Sequence, residues 1–486
     1  MTDPKNSALL TDFYQITMAY AYWKSGLADR KAVFHAFFRR PPFRGGFTIA
    51  CGLQSLIEYL DQFHFSKSDL DYLANQNNAS GHPLFDDAFL KMLETLRLSV
   101  DVDAVEEGVS LFPYEPIVRV SGPLLQCQLL ESPLLNYINF PTLIATKAAR
   151  VRLAAGQDRI MEFGLRRAQG ADGALTASRS AYIGGCDSTS HVLAGKVYGI
   201  PIQGTHAHSW IMAFEKEEDA FEQYGKIFPE LPVFLVDTYN TIDGVKAAIR
   251  VGHRLRSKGF DLGGIRLDSG DLAALSIEAR KLLDAAGFPK AVIVASNELD
   301  EVIISELKHQ GAKVDIWGVG TNLVTSKDQP ALDGVYKISA IEKEDGSMRY
   351  ILKLSEQLAK VSTPGILDVM RFTIDGRMAG DIIFDTKLKI ANPNHNVDPF
   401  DATKQLTIPE GATFETLLKP VVRSGKSVYT SPVLPAIRQR TLQTLQELPK
   451  GVTRFLNPHI YPVSMEKELY NIKVDLMRSI RTRRGA

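Results

Sequence analysis

The chain has 486 residues, more than one hydrophobic core normally organises, so we expect two or three domains. Its apolar fraction of 45% and charged fraction of 23% are typical of a globular protein and exclude a disordered or collagen-like chain. Lysine plus arginine balance aspartate plus glutamate at 56 each, so no net field favours nucleic acid or a membrane as partner. A small polar ligand is expected instead.

The cysteines favour a reducing compartment. Cys51, Cys127 and Cys186 lie far apart and form no C-x-x-C pair, which argues against disulfides and structural zinc. The first residues lack the apolar stretch of a signal peptide, and no apolar run approaches the 18 residues of a membrane span. We therefore expect a soluble, cytoplasmic protein.

The first part of the chain, residues 1–135, predicts an α+β domain that resumes at 341–414. A polar, helix-like stretch at 53–99 lies among short β-prone runs at 33–38, 47–51, 117–120 and 124–130. Similar runs return at 350–354, 369–374 and 381–384. Residues 415–486 mix proline-rich turns with helices, and we expect them to form a small C-terminal extension.

Residues 136–340 predict a second domain of the α/β class. Apolar residues at helical spacing between Ser132 and Gly156, interrupted by Pro141, mark the crossing into it. Short apolar runs then end in polar turns, and helical stretches follow these turns at intervals of about 30 residues, the length of one βα unit. The turns lie at 166–167, 204–205, 237–238, 268–269, 296–297 and 318–321.

This spacing favours an irregular α/β barrel, in which loops after the strands converge at one mouth and carry the chemistry. An open doubly wound sheet is the alternative. It would bind its ligand at a switch point, but no G-x-G-x-x-G follows a first strand here.

Two of the turns have features that suit phosphate groups. Gly318, Gly320 and Thr321 end an apolar run, so that backbone N–H groups and a hydroxyl can surround a phosphate. A plain tight turn is the alternative. Arg166 and Arg167 end another apolar run and can clamp a diphosphate, the alternative being a surface ion pair.

The segment from Arg266 to Asp271 combines a guanidinium with two carboxylates. Arg266 can bind a carboxylate or a phosphate, while Asp268 and Asp271 can bind magnesium. The alternative is a salt-bridged helix start in which Asp268 or Ser269 is the N-cap and Asp271 lies in the first turn.

Two histidines, His206 and His208, follow Gly204-Thr205. Zinc needs a third ligand, and neither H-E-x-x-H nor a cysteine cluster accompanies them. A histidine beside phosphate-binding turns can instead accept a phosphoryl group, because neutral imidazole is nucleophilic at pH 7. A structural histidine is the alternative.

Read together, these segments resemble nicotinate phosphoribosyltransferases over nearly the whole chain. The resemblance includes Leu10-Thr11-Asp12-Phe13-Tyr14-Gln15 and Leu143-Ile144-Ala145-Thr146-Lys147. It continues through Glu162-Phe163-Gly164-Leu165-Arg166-Arg167-Ala168-Gln169-Gly170 and the segments 204–210, 266–271 and 318–321. The order of six such segments over more than 300 residues is specific.

The resemblance implies a fold, a reaction and partners. The fold is an α/β barrel with an α+β domain, and the dimer is the usual form, with active sites near a subunit interface. The reaction joins nicotinate to 5-phosphoribosyl 1-diphosphate, gives nicotinate mononucleotide and diphosphate, and is coupled to ATP hydrolysis in NAD salvage. Mg²⁺ is the implied cofactor, and the departing diphosphate leaves an oxocarbenium-like ribosyl group.

The resemblance also implies roles for particular residues. His208 is the histidine phosphorylated by ATP, Tyr14, Thr205 and Arg266 contact nicotinate, and Thr321 contacts the phosphoribosyl diphosphate. Gly318 and Gly320 belong to the same phosphate turn. Arg166, Arg167, Asp268 and Asp271 are our own candidates for the diphosphate and its magnesium.

Three other functions remain open. Nicotinamide and quinolinate phosphoribosyltransferases share the fold, but nicotinamide enzymes carry an acidic residue after the Gly-Thr pair, where this chain has His206, which favours a carboxylate substrate. A lysine-dependent aldolase or lyase is disfavoured because none of the six turns supplies a lysine. A non-catalytic metabolite sensor is the third.

Overall fold

The structure is a computed structural model that describes residues 7–230, 232–388, 390 and 392–484. The chain divides into two compact units. The first consists of Met1–Leu143, Ala331–Val433 and Gln443–Ala486, and the second of Ile144–Pro330 and Leu434–Leu442. Among the described residues, no helix is long and apolar enough to cross a membrane.

The strands follow the chain in three groups. The first unit begins with β1 (Lys31–Phe37), β2 (Thr48–Ile49), β3 (Asp101–Val105), β4 (Ser110–Leu111) and β5 (Val118–Pro123). The second unit contains β6 (Arg159–Glu162), β7 (Ser188–Thr189), β8 (Val233–Leu235), β9 (Gly264–Leu267), β10 (Val292–Ala295) and β11 (Ile316–Val319). The first unit continues with β12 (Val335–Glu342), β13 (Met348–Tyr350), β14 (Leu367–Ile374), β15 (Arg377–Asp385), β16 (Asn396–Val397), β17 (Thr413–Thr416), β18 (Leu418–Arg423), β19 (Lys426–Ser427) and β20 (Val463–Glu466).

The helices divide in the same way. The first unit opens with α1 (Phe13–Lys24), α2 (Leu53–Gln62), α3 (Lys67–Ala74), α4 (Asp87–Thr95) and α5 (Leu124–Leu129), and α6 (Glu131–Ala155) contributes residues to both units. The second unit contains α7 (Gly170–Ile183), α8 (Val192–Tyr198), α9 (His208–Met212), α10 (Glu217–Ile227), α11 (Thr241–Arg256), α12 (Leu272–Ala285), α13 (Glu301–His309) and α14 (Thr321–Val324). The last helices are α15 (Leu434–Glu447) and α16 (Lys467–Arg484).

The first unit is built on mainly antiparallel sheets, in which β15 and β20 form a parallel pair. A seven-stranded sheet has the order β13-β12-β1-β5-β3-β18-β19, and a five-stranded sheet has the order β16-β20-β15-β14-β17, counting strands of the described residues. Helices α2 and α4 place apolar residues on one face and bury them in the same core as the strands. Phe34, Leu56, Phe89 and Val120 all belong to this core.

The second unit is built on a parallel sheet of six strands in the described chain, in the order β7-β6-β11-β10-β9-β8. A helix follows each strand along the chain, as the spacing of the turns predicts. All four residues of β11 and three of the four in β6 are buried, because helices cover a parallel sheet.

The segment 200–206 closes this sheet between its edge strands. On one side it forms a parallel bridge from Ile202 to Thr189 of β7, and the Gln203 N–H donates to the Thr189 carbonyl over 3.0 Å. On the other side the Leu235 N–H of β8 donates to Nε2 of His206 over 3.3 Å. A side chain thus takes the place of a strand carbonyl, and the unit is an irregular α/β barrel.

The predicted fold class is confirmed, but two local predictions are wrong. The β-prone run 124–130 is mostly helix α5, because a short apolar run buried on several sides does not distinguish strand from helix. Pro141 does not interrupt α6. The carbonyl of Tyr137, which loses its helical partner to Pro141, lies against Gly52, where a Cβ would collide with it.

The bounds of the two compact units also differ from the bounds of the predicted domains. The barrel unit runs from Ile144 to Pro330, compared with the predicted 136–340. Residues 415–486 are not set apart as an extension, because β17 pairs with β14, β18 pairs with β3, and residues 434–442 belong to the barrel unit.

Candidate active site

Polar side chains from different barrel strands meet around Arg266 on β9. Its Nε donates to Ser296 Oγ over 2.9 Å, Nη1 to Thr205 Oγ1 over 3.1 Å, and Nη2 to Asp268 Oδ1 over 2.9 Å. The three acceptors lie in the turn after β10, in the segment before α9 and in the turn after β9, respectively. Three of the five guanidinium N–H groups are therefore used within the described residues, and one on each terminal nitrogen is left for a ligand.

Asp268 connects this guanidinium to the neighbouring strands. Its carboxylate also accepts the hydroxyl of Ser296, and its backbone N–H donates to Asp237 Oδ2 over 3.0 Å. Burial by itself would raise the pKa of Asp268, but the Ser296 hydrogen bond and the adjacent Arg266 charge outweigh it and hold the pKa below its ordinary value. Asp268 is thus an ionised partner that fixes Arg266.

His208 is the first residue of α9 and faces the same group. Its Nδ1 lies 3.1 Å from Thr238 Oγ1, in the turn after β8, and its Nε2 lies 3.8 Å from Asp268 Oδ2. The imidazole is 40% exposed, so a ligand can reach it. The structure therefore brings His208, Thr205, Arg266 and Asp268 together.

His206 is packed in the protein instead. Its ring contacts Phe221, Tyr224 and Phe234, and its Nε2 accepts the Leu235 N–H at the closure of the barrel. Burial, with smaller effects of Arg266 and His208, lowers its pKa to about 4. His206 is thus a buried residue at the barrel closure, and its part in the preference for a carboxylate substrate stays a prediction.

Arg166 and Arg167 lie in a 3₁₀ turn, Leu165–Arg167, just after β6. Both are exposed, and neither forms an ion pair among the described residues, unlike the alternative of a surface salt bridge. They remain available to an anionic ligand at the strand end.

Phe163, which the sequence reasoning gave no role, lies under the site. Its ring is 5.4 Å from the Arg266 guanidinium carbon, and a Cβ on Gly318 would come within 2.8 Å of it. The carbonyl of Phe163 would be 3.2 Å from a Cβ on Gly320. A side chain on Gly318 would displace the Phe163 ring, and one on Gly320 would make a tight contact with the backbone just after β6.

Thr321 follows these glycines as the first residue of α14. The first N–H groups of a helix have no acceptor within it, so this turn can offer donors to an anion. Asn322 fixes the turn by donating to the carbonyls of Glu298 and Leu299, over 2.9 and 3.2 Å.

Asp268 and Asp271 are each hydrogen-bonded within the protein, and their role as magnesium ligands stays a prediction. Asp271 is the N-cap of α12 and accepts the Ala274 N–H over 3.0 Å. This agrees with the alternative of a helix start, except that the alternative placed Asp271 one position later, in the first turn. No group of three or more histidine, cysteine or acidic side chains suited to a metal occurs in the described part of the chain.

Tyr14 belongs to the first unit, whereas the other predicted site residues belong to the second. It lies on α1 with 47% of its surface exposed. Partial burial and the neighbouring Glu131 and Asp12 raise its pKa, so the phenol is neutral. An exposed aromatic face is what a stacking role requires, and that role stays a prediction.

Ser296, Asp237 and Thr238 are further residues that the sequence reasoning left without a role. Their positions at strand ends were recognised from the alternation of apolar runs and polar turns. That pattern identifies the turn, but it does not tell which side chain contacts Arg266 or His208.

A parallel barrel with a guanidinium, an imidazole and glycine turns at its strand ends is the architecture of the barrel-type phosphoribosyltransferases. Family models of nicotinate phosphoribosyltransferase match the chain at 9–139 for the N-terminal domain, 159–354 for the central family region and 368–473 for the C-terminal domain. The chain belongs to the nicotinate phosphoribosyltransferase family.

Individual relatives agree with this assignment. The chain is 40% identical to the nicotinate phosphoribosyltransferase of Bacillus subtilis, with 98% of this chain and 96% of that protein covered. It is 35% identical to the Homo sapiens enzyme of the same name, covering 95% of both chains.

Solved structures agree as well. The crystal structure of human nicotinic acid phosphoribosyltransferase superposes with a TM-score of 0.83 at 31% identity, covering 96% of this chain and 99% of that chain. The nicotinate-nucleotide pyrophosphorylase of Pyrococcus furiosus shares the fold, with a TM-score of 0.71 at 22% identity over 92% of this chain and 97% of that chain.

Proposed function

We propose that this protein forms nicotinate mononucleotide and diphosphate from nicotinate and 5-phosphoribosyl 1-diphosphate, coupled to ATP through a phosphorylated His208. The single observation that carries the proposal is the state of Arg266. Its partners Thr205, Ser296 and Asp268 hold the guanidinium in place and leave one N–H on each terminal nitrogen. Two such donors suit the two oxygens of a carboxylate.

The same geometry favours an aromatic carboxylate. The Phe163 ring lies beneath the guanidinium, 5.4 Å from its carbon, and makes the surroundings of Arg266 partly aromatic. Nicotinamide would present an amide N–H₂ to a guanidinium, which has donors only. Arg266 therefore supports nicotinate over its amide, and we retain Tyr14 as a candidate stacking residue on the strength of the family resemblance.

In the proposed reaction, the bond from ribose C1 to the diphosphate oxygen breaks and a bond from C1 to the pyridine nitrogen forms. Arg166 and Arg167 stabilise the negative charge of the departing diphosphate. The Gly318, Gly320 and Thr321 turn holds the 5-phosphate through N–H groups. We treat Mg²⁺ as part of the substrate, held by phosphate oxygens, because it is usually bound with substrate phosphates.

His208 supports the coupling to ATP. In the tautomer whose Nδ1–H donates a hydrogen bond to Thr238 Oγ1, Nε2 carries a free lone pair. This nitrogen can attack the terminal phosphorus of ATP, and ADP leaves. The new phosphoryl group adds negative charge near Asp268 Oδ2, which lies 3.8 Å from Nε2. We propose that this charge favours an arrangement of the site that binds both substrates more tightly.

The test is formation of nicotinate mononucleotide from labelled nicotinate, with and without ATP, by the wild type and His208→Asn. We expect the wild type to be stimulated by ATP and to carry label from γ-labelled ATP. The variant is expected to retain basal turnover without stimulation. Full ATP stimulation in His208→Asn contradicts the phosphohistidine, and absence of product from the wild type contradicts the reaction itself.

A homodimer is the assembly that the family resemblance implies, and we retain it as a proposal. Light scattering of the purified protein measures it directly. A monomer that turns over at full rate would remove the dimer from the proposal.

A further inference from the structure

The carboxylate of Glu162, at the end of β6, is almost fully buried at 1% exposure. It accepts the backbone N–H of Gly164, the hydroxyl of Ser178 over 2.8 Å and the hydroxyl of Thr189 over 2.5 Å. All three donors are neutral. Burying a carboxylate that has only neutral hydrogen-bond donors costs free energy. A role other than stabilising the fold would account for Glu162 at this position.

These donors come from three separate elements. Gly164 lies in the turn after β6, Ser178 on α7 and Thr189 on β7. The hydroxyl of Ser178 lies 3.1 Å from Nδ1 of His191, and the backbone N–H of His191 donates to Thr189 Oγ1 over 3.0 Å. The hydroxyls of Ser178 and Thr189 are therefore themselves fixed in place.

The turn held by Glu162 carries the residues of both proposed substrate sites. Phe163 lies directly after Glu162, under Arg266, and its N–H donates to the Val319 carbonyl over 2.8 Å, next to the glycine turn. Arg166 and Arg167 follow Gly164 in the same turn. A shift of Gly164 would move the aromatic surface and both arginines together.

We propose that Glu162 is a positioning residue that fixes the Phe163–Arg167 turn, and through it the subsites for the aromatic carboxylate and for the diphosphate. This inference rests on the proposed function. Glu162 touches neither substrate and acts through the Gly164 N–H. Unlike the hydroxyls, which can rotate to accept, a backbone N–H can only donate.

The test variant is Glu162→Gln, which keeps the volume and removes the charge. Charge-assisted hydrogen bonds are roughly twice as strong as neutral ones, so the turn is held less firmly. We expect KM for nicotinate and for phosphoribosyl diphosphate to rise together by about tenfold, because a small misplacement of binding groups weakens both sites. Glu162→Ala removes the acceptors altogether and is expected to raise both KM values at least as much.

Asp187→Asn is the matched control. Asp187 accepts the Ile160 N–H over 2.8 Å at the other end of β6 and pairs with Arg152 and Arg438, so it supports the same strand away from the site. We expect this variant to lose thermal stability while both KM values stay within about twofold of the wild type.

Hydrogen exchange of residues 163–168 provides a readout that does not depend on turnover. Faster exchange in this turn is expected for Glu162→Gln and not for Asp187→Asn. Unchanged KM values and unchanged exchange in Glu162→Gln, or equal effects in both variants, overturn the positioning role. If the wild type forms no nicotinate mononucleotide, the proposed function fails, and the exchange experiment still decides whether Glu162 fixes the turn.

Discussion

Arg266 owes its fixed orientation to side chains that lie far from it in the sequence. Thr205 precedes it by 61 residues and Ser296 follows it by 30, and both are hydrogen-bonded to it in the folded chain. A guanidinium that is already oriented loses less conformational entropy when it binds a planar carboxylate. The residue thus combines charge, shape and preorganisation.

Arg266→Lys tests this combination. An ammonium keeps the charge but cannot reach Thr205, Ser296 and Asp268 while also binding two carboxylate oxygens. We expect KM for nicotinate to rise by about 10- to 100-fold, which corresponds to roughly 1.4–3 kcal/mol of lost binding. Steady-state kinetics with varied nicotinate measure this change.

Arg256→Lys, on α11, is the control: Arg256 pairs with Asp261 near the surface, and this variant should keep the wild-type KM for nicotinate. An Arg266→Lys variant with an unaltered KM for nicotinate would remove Arg266 from the carboxylate site.

At the scale of secondary-structure elements, the barrel is closed indirectly, because the edge strands β7 and β8 do not pair with each other. The segment 200–206 lies between them, connected to β7 by a backbone bridge at Ile202 and to β8 by the imidazole of His206. Since an unpaired buried N–H costs about 1–3 kcal/mol, the acceptor that His206 supplies to Leu235 contributes to the stability of the barrel.

His206→Phe tests this structural role. Phenylalanine fits the aromatic surroundings of Phe221, Tyr224 and Phe234 but leaves the Leu235 N–H without an acceptor. We expect the free energy of unfolding to fall by about 1–3 kcal/mol, measured by chemical denaturation. The preference for nicotinate over nicotinamide should not change.

His309→Phe, at the exposed end of α13, is the control for the loss of a histidine. A changed substrate preference in His206→Phe, with stability equal to this control, would restore His206 as a specificity residue.

At the scale of the whole molecule, the first unit is assembled from chain segments hundreds of residues apart. Buried Arg371 on β14 forms an ion pair with Asp381 on β15 over 2.6 Å, and Tyr461 donates its hydroxyl to Asp381 over 2.9 Å. Phe112 stacks on Tyr461 at 3.6 Å between ring centres. Burial, together with the nearby charge of Asp381, raises the pKa of Glu115 well above its ordinary value.

Arg371→Met tests this network. Removal of one partner leaves the carboxylate of Asp381 buried without its cation, and we expect a loss of about 3–5 kcal/mol in the free energy of unfolding. Differential scanning calorimetry measures the shift of the transition. Arg377→Met, on the exposed start of β15, is the matched control and should change stability by less than about 0.5 kcal/mol. Equal stability of the two variants contradicts the importance of the buried pair.

The sequence by itself determined the alternation of buried strands and helices in the barrel, since burial pattern and βα spacing are local properties of the chain. It also identified the strand ends that meet at Arg266, because parallel strands bring their C-terminal ends to one side. The turn Gly318–Thr321, predicted to bind phosphate, and the turn with Arg166 and Arg167 after β6 both lie at the C-terminal ends of parallel strands.

Only the tertiary structure decided which side chains contact one another. Three features depend on segments that are distant along the chain: α6 continues through Pro141, His206 closes the barrel, and Phe163 lies beneath Arg266. Sequence spacing fixes the position of a residue within its own element, but a contact between elements also depends on how they pack. For this reason the sequence predicted which turns carry the candidate site, and the tertiary structure decided which of their side chains contact one another.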